Sequence, residues 1–387
     1  MIPRELNQKL AQLAEKFPVV SVTGPRQSGK TTLLQNSFPD YQYYSLEDPD
    51  IRLFAQNDPR NFLAAGSHII IDEIQRVPEL FSYIQTITDQ SKIPGQFIIS
   101  GSQSFLLNEK ISQSLAGRVA ILHLLPFSFT ELKKAGISFS SYEDLLFKGY
   151  YPRIYDMEID PGDFYPNYLQ TYIERDVRLL QNIQDLDQFI RFMKLAAGRT
   201  GQLLNLTSLA SDTGISVNTV KSWLTVLEAS FIIFLLQPYH KNYNKRLVKM
   251  PKLYFYDTGL VSSLLDIQSA NQIKSHYLLG GLFENFVIAE IVKSRYHRGL
   301  RSNCYFWRDH KGREIDCILN DGTNLLPVEM KAAKTFSTEF FANISFLKQI
   351  TDEIGDAYVV FGGDQALDTK AGKLIGWRDI DQLLNRL

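Results

Sequence analysis

Cysteine is nearly missing from this chain. Cys304 and Cys317 are the only two in 387 residues, which excludes a disulfide framework and any Cys-based zinc spacing. Both lie in apolar, strand-like runs, which points to buried thiols and a reducing, cytoplasmic setting. Charge of one sign is also lacking. The formal net charge is −1, so no global electrostatic footprint for nucleic acid or membrane exists, and any such surface must be local. Long apolar runs are absent: Phe231–Leu236 is the longest and far too short to span a bilayer. The N-terminal Met1-Ile-Pro-Arg-Glu-Leu has no signal-peptide apolar core. No repeat or low-complexity linker occurs. The six histidines (68, 123, 240, 276, 297, 310) are scattered and suggest no site. What is present is an ordinary globular composition, 44% hydrophobic and 21% charged, long enough for two or three domains.

The most informative stretch is Gly24-Pro25-Arg26-Gln27-Ser28-Gly29-Lys30-Thr31, followed by Thr32. It fits the phosphate-loop pattern G-x-x-x-x-G-K-[ST]. The β-branched run Phe17–Thr23 before it reads as a strand, and Thr31–Asn36 after it can open a helix. In that context backbone N–H groups converge on an anion, and the helix start adds its positive dipole end. Lys30 would bridge the β- and γ-phosphates of ATP, and the Thr31 hydroxyl would hold Mg²⁺.

A second strand, Ile69–Ile71, ends in Asp72 and Glu73. Acids at the carboxyl end of a buried strand sit where open α/β sheets bind ligands. Asp72 is expected to act on Mg²⁺ and Glu73 to orient and deprotonate the attacking water. A third strand, Gln96–Ser100, ends in Gly101-Ser102-Gln103. Ser100 or Ser102 there either contacts the γ-phosphate or the water, or simply makes a turn. Arg118 precedes another apolar run. It is either a surface residue or a cation reaching a neighbouring subunit's γ-phosphate, which requires a homo-oligomer.

Gly24–Thr31, Ile70–Gln75, Ile98–Gln103 and Leu115–Arg118 together resemble the AAA-type ATPases. Gly149–Pro152, Tyr172–Asp176, Lys245–Phe255 and Asp257–Leu260 extend the resemblance over essentially the whole chain. It is similar to a bacterial and archaeal AAA-type family with a C-terminal domain of uncharacterised role. The resemblance implies an AAA fold and ATP binding, and little about the biological task.

Residues 126–201 read as a helical lid and connector, in which Arg175 touches nucleotide or a partner, or forms a solvated ion pair. Leu206–Gly214 followed by Ser216–Glu228 has helix-turn-helix logic. Gly214 ends one helix and Ser216 caps the next, with Val217, Val220, Leu224 and Leu227 inward. Asn218, Thr219, Lys221 and Ser222 would face outward. Phe231–Leu236 would be a wing strand and Lys245 and Arg246 wing cations. Five Lys/Arg against two acids over 203–249 suit phosphate contacts, although winged helices also serve as protein-binding modules. This unit is assigned 202–249, after an ATPase core of 1–125.

The remainder, 250–387, carries a second constellation. Gly280–Lys293 reads as an apolar helix holding Glu284, with Phe283, Phe286, Val287 and Glu290 near one stripe. Strand-like runs hold Glu314 and Asp316, then Glu329-Met330-Lys331. Residues two apart on a strand share a face, so Glu329 points with Lys331. The set resembles the PD-(D/E)xK arrangement of restriction-endonuclease-like folds. That resemblance implies a Mg²⁺ held by Asp316 and Glu329, Lys331 on the attacking water, and Glu284 in support. A cross-strand ion pair is the alternative. The expectation is therefore an α/β chain: a P-loop AAA-type sheet with helical lid, a winged helix, and a restriction-endonuclease-like domain. It would hydrolyse ATP with Mg²⁺ and bind or process DNA. The alternative is an ATP-gated switch or scaffold for protein partners, with an inactive C-terminal domain. No membrane association is expected.

Overall fold

The computed structural model describes residues 2–102, 114–172, 185–239 and 250–386. The N-terminal sheet has five parallel strands, β1 (Val19–Thr23), β2 (Gln42–Ser45), β3 (Ile69–Asp72), β4 (Phe97–Gly101) and β5 (Val119–His123), in the order β2-β3-β4-β1-β5. β1, β3 and β4 are buried at every position, as continuous apolar runs predict for a sheet covered on both faces. Alternation divides them between two cores. Val19, Ile69, Ile71, Phe97 and Ile99 pack with Leu80, Phe81 and Ile84 of helix Leu80–Ser91. Val20, Val22, Ile70 and Ile98 pack with Leu6 and Leu10 of helix Leu6–Ala14 and Leu33 and Leu34 of helix Lys30–Ser37. β1 lies between β4 and β5, so its carboxyl end opens beside those of β3 and β4, where a ligand fits.

A helical middle follows. Ser128 and Glu131 form a reciprocal capping box that starts helix Phe129–Lys134. Helix Leu206–Thr213 ends at Gly214, whose φ of 79° needs a glycine-compatible conformation. Ser216 caps helix Val217–Ala229 by accepting from the Thr219 N–H at 3.0 Å. Strands β6 (Ile233–Leu236) and β7 (Lys252–Phe255) then pair antiparallel. The expected inner face of the second helix is too narrow. Trp223 and Val226 are buried as well, and Trp223 packs edge-on against Phe189 and Phe192 of helix Leu186–Ala197. β7 lies beyond residue 250 and its backbone hydrogen bonds go to β6.

The C-terminal part is a mixed sheet ordered β12-β13-β11-β10-β9-β8. β8 (Cys304–Arg308), β9 (Glu314–Asn320) and β10 (Leu325–Lys331) form an antiparallel meander. Helix Ala342–Ile350 leads to β11 (Tyr358–Phe361), which lies parallel to β10 and to β13 (Lys373–Gly376). β12 (Leu367–Asp368) closes the edge. Both cysteines are free and buried. Helix Leu279–His297 packs against β5, β7, β10 and helix Tyr142–Lys148. It is consequently buried on nearly all sides from Leu282 to Ser294, rather than along the single stripe read from the sequence. One apolar cluster runs without a break from the helical middle through β6 and β7 into this helix and β8–β11. Among the described residues no helix is long and apolar enough to cross a membrane.

Candidate functional site

The loop between β1 and helix Lys30–Ser37 has the conformation of an anion cradle. Gln27 and Gly29 sit at positive φ, 59° and 90°, and no side chain caps the helix start, which leaves its first N–H groups for a ligand. Gly24 is required by close approach, since a Cβ there would stand 2.0 Å from the Leu124 carbonyl oxygen. Lys30, nearly buried, donates from Nζ to the carbonyls of Gly24 (3.0 Å) and Pro25 (2.8 Å). The Ser28 hydroxyl is buried and has no hydrogen-bond partner, an orphan that fits a loop shaped around a group it would bond.

Asp72 gathers the second half of the site. Its Oδ2 accepts from Thr31 Oγ1 at 2.6 Å and from the Tyr43 hydroxyl at 2.9 Å. Its Oδ1 accepts from Ser100 Oγ at 2.5 Å. The Thr31 hydroxyl and the Asp72 carboxylate thus share one point, and hard oxygens so placed suit Mg²⁺. Burial first, and then the charge of Asp72, push the Tyr43 phenol well above its ordinary range. Glu73 stands at φ 56°, a strained conformation for a residue with a Cβ. Its Oε2 accepts from the Ser102 hydroxyl at 3.0 Å and from the Gln75 amide. The two serines therefore have distinct partners, Ser100 on Asp72 and Ser102 on Glu73. Gln103 lies outside the described residues.

A cleft of about 690 Å³ opens here, the size of a small-molecule site. Arg26, Gln27, Gly29, Lys30, Thr31, Thr32 and Glu73 line one wall. Phe127, Pro152, Arg153 and Met157 of the helical middle line the other. Arg153, exposed on the lid wall, escaped the sequence reading although it directly follows the Gly149–Pro152 motif. Arg4 escaped it altogether. Its guanidinium donates to the Ser28 carbonyl (2.7 Å), the Leu125 carbonyl (2.6 Å) and Glu131 Oε1 (3.1 Å), tying the phosphate loop to the segment after β5 and to helix Phe129–Lys134. Burial opposes the Glu131 charge, but Arg4 and His297 outweigh it and lower its pKa. The contacts span 24 to 127 positions of sequence, so no local pattern could announce them.

Arg118 is not in this cleft. It precedes β5, whose Val119 pairs with Val19 and His123 with Thr23. It thus lies one strand length from its own phosphate loop. There it forms a two-pronged ion pair with Asp89, Nε–Oδ1 2.5 Å and Nη2–Oδ2 2.9 Å. On helix Val217–Ala229 Asn218 and Lys221 are exposed, and Thr219 and Ser222 half-buried. Arg175, Lys245 and Arg246 lie outside the described residues.

In the C-terminal domain Lys331 and Glu329 do point together, Nζ–Oε2 2.5 Å, with Asp316 Oδ2 at 3.5 Å from the same nitrogen. The Met330 N–H donates to Asp316 Oδ2 at 2.8 Å. Among the described residues, the carboxylates that converge as a metal would need are Glu284, Glu314 and Asp316, all within 4.8 Å of one another. Glu329 is not in that set. It is almost wholly buried, one of its oxygens finds no partner, and burial with the Asp316 charge raises its pKa. Glu284 is raised for the same two reasons. The space between Glu284 and Glu314 is filled by a lysine from β7, Lys252, at 2.8 and 2.5 Å. The arrangement does not fit a bound Mg²⁺ as it stands.

Sheet order, loop and acids define a P-loop nucleotide-binding α/β domain. Residues 16–133 match a family model described as an AAA domain, a match that suggests ATP and Mg²⁺ binding. Residues 139–271 and 279–380 match models of two domains of unknown function, DUF8612 and DUF4143. An uncharacterized protein of Mycobacterium tuberculosis is 29% identical over 338 residues, 86% of this chain and 74% of that protein. An uncharacterized protein of Haemophilus influenzae is 22% identical over 331 residues, 76% of this chain and 80% of its own. Among solved structures, a Walker-type ATPase of Pyrococcus abyssi aligns with TM-score 0.45 and 15% identity, over 68% of this chain and 96% of that one. AMPPCP-bound DnaA from Aquifex aeolicus aligns with TM-score 0.30 and 15% identity, over 58% and 85%.

Proposed function

We propose that this protein is an AAA-type ATPase that hydrolyses ATP with Mg²⁺ and couples turnover to DNA engagement through its winged helix. The observation that carries the reading is the paired geometry of Thr31–Asp72 and Glu73–Ser102 at one mouth of the sheet. ATP and Mg²⁺ bring the phosphoryl group and the charge that polarises it. The chain supplies the rest. Gly24–Thr31 would wrap the phosphates with main-chain N–H groups, and Lys30 would turn its ammonium from the loop carbonyls to phosphate oxygens. Thr31 and Asp72 would hold the ion. Glu73, oriented by Ser102 and Gln75, would take a proton from the attacking water.

Asn218, Thr219, Lys221 and Ser222 would meet the duplex, with Lys245 and Arg246 adding phosphate contacts. Arg118 would serve a neighbouring subunit of a homo-oligomer. Lys30→Ala is expected to abolish binding of a fluorescent ATP analogue. Glu73→Gln is expected to keep that binding and lose turnover about a hundredfold or more, the scale of a general base. Normal hydrolysis by Glu73→Gln would overturn the assignment. Gel shifts over a salt series test the DNA contacts, which should weaken steeply as salt rises; binding that ignores salt would count against them.

The helix, three-stranded meander and parallel strand of the C-terminal domain support the restriction-endonuclease-like reading of its fold. For its chemistry, Lys252 favours the second reading, in which the domain holds a nucleic-acid or protein partner without cutting.

A further inference from the structure

The C-terminal acid cluster contains a cation contributed by a different unit of the fold. Lys252 opens β7, the second strand of the winged hairpin, and is only 2% exposed. Its ammonium lies 2.8 Å from Glu284 Oε1 and 2.5 Å from Glu314 Oε1, and 5.7 Å from the centre of the Phe306 ring. Tyr254, two residues on and on the same strand face, donates to Glu284 Oε1 at 2.5 Å. Arg308 holds the other oxygen of Glu314 at 2.8 Å. Lys331 is occupied with Glu329 and Asp316.

A divalent ion bound by Glu284 and Glu314 needs their oxygens at roughly 2.0–2.6 Å. That is the space the ammonium fills. Two cations that close also repel strongly, the more so for the double charge of the metal. A buried lysine with no counter-charge would itself be costly, so the ammonium and the acids satisfy one another.

We infer that Lys252 is the resident counter-ion of the Glu284–Glu314–Asp316 cluster, which makes the cluster a metal-free lock between the winged hairpin and the C-terminal domain. Removing that one amine uncovers a divalent-cation site. The inference is independent of the ATPase reading, because it concerns metal binding with no nucleotide present.

The test titrates full-length protein with Mn²⁺ in the absence of nucleotide, following free Mn²⁺ by electron paramagnetic resonance. Wild type should show no Mn²⁺ binding that depends on Asp316, so wild type and Asp316→Asn should give the same curve. Lys252→Met, which keeps the length and loses the charge, should gain about tenfold or more in Mn²⁺ affinity. The gain should vanish in Lys252→Met/Asp316→Asn and be absent in Lys252→Arg. Should Lys252→Met fail to fold, Lys252→Gln, which still donates to Glu284, takes its place. Wild-type Mn²⁺ binding that is lost with Asp316→Asn would overturn the inference, and so would folded, neutral Lys252 variants that gain nothing.

Discussion

Ser102 and Glu73 show how much of a catalytic assignment rests on single contacts. Glu73 holds a left-handed backbone conformation that costs on the order of 1–3 kcal/mol for a residue with a side chain. It directs the carboxylate into the cleft instead of continuing β3. Ser102 then fixes one oxygen at 3.0 Å. Ser102→Ala should leave ATP affinity unchanged and lower single-turnover hydrolysis about ten- to a hundredfold, the size of a lost positioning contact. An unaltered rate would release Ser102 from that role. His123 gives a pH-dependent expectation. Burial pushes its imidazole down to about 4, against an ordinary value near 6.5. The unfolded chain therefore takes up a proton between those values and the folded chain does not. Stability should be full above about pH 6.5 and decline as pH falls toward 4. The ceiling is about 3 kcal/mol, and the loss should fall short of it because the ring keeps some solvent contact. Urea midpoints at pH 7, 6 and 5 would measure the slope, and His123→Phe should flatten it. That Lys30, Thr31, Asp72 and Glu73 come together was legible in the sequence because it follows from the local spacing of strand, loop and helix. Arg4 and Lys252 were not, because each acts on residues far along the chain.

At the scale of elements, helix Leu279–His297 links the two ends of the molecule. Its first turns bring Glu284 to the acid cluster. Further along, Glu290 accepts the Phe129 N–H at 2.8 Å, and Lys293 donates to the Phe127 carbonyl at 2.9 Å and to Glu290 at 3.1 Å. At its end His297 stands 3.5 Å from Glu5, beside the Arg4–Glu131 pair that grips the phosphate loop. Glu290 and Lys293 are fully buried and form an ion pair of 3.1 Å, and the Lys293 ammonium also lies 3.6 Å from the centre of the Tyr150 ring. Lys293→Met should cost about 3–5 kcal/mol by leaving Glu290 alone, while Lys293→Met/Glu290→Gln should recover part of that. Thermal midpoints of the two variants decide the matter, and equal losses would mean that packing rather than pairing is at stake. The sequence announced this helix through its apolar content. It could not announce that a helix between two layers is buried all round, nor that Trp223 turns inward toward Phe189 and Phe192. Those follow from neighbours, and neighbours are set by the assembled layers.

At the scale of the whole molecule, the phosphate loop and Arg118 lie at opposite ends of the same sheet, and that separation makes a statement about assembly. β1 and β5 run parallel in register, so no rearrangement short of breaking the sheet brings Arg118 to its own nucleotide. If Arg118 stabilises the charge that develops during hydrolysis, the site it completes belongs to another copy of the chain, and its pairing with Asp89 is either the resting position of that cation or its whole purpose. Subunit mixing separates these. An Arg118→Ala chain keeps an intact Glu73 but lacks the cation; a Glu73→Gln chain keeps the cation but lacks the base. Each alone should turn over ATP slowly. Mixed in equal amounts, the Glu73→Gln chains would lend Arg118 to the Arg118→Ala sites, and turnover should rise well above the average of the two. A cation in trans contributes about a thousandfold or more in other phosphoryl-transfer enzymes, so even a minority of productive contacts would be visible. If Arg118 serves only to hold Asp89, the mixture should give the plain average, the Arg118→Ala chain alone should retain near-normal turnover wherever it folds, and the homo-oligomer would lose its only support from this residue.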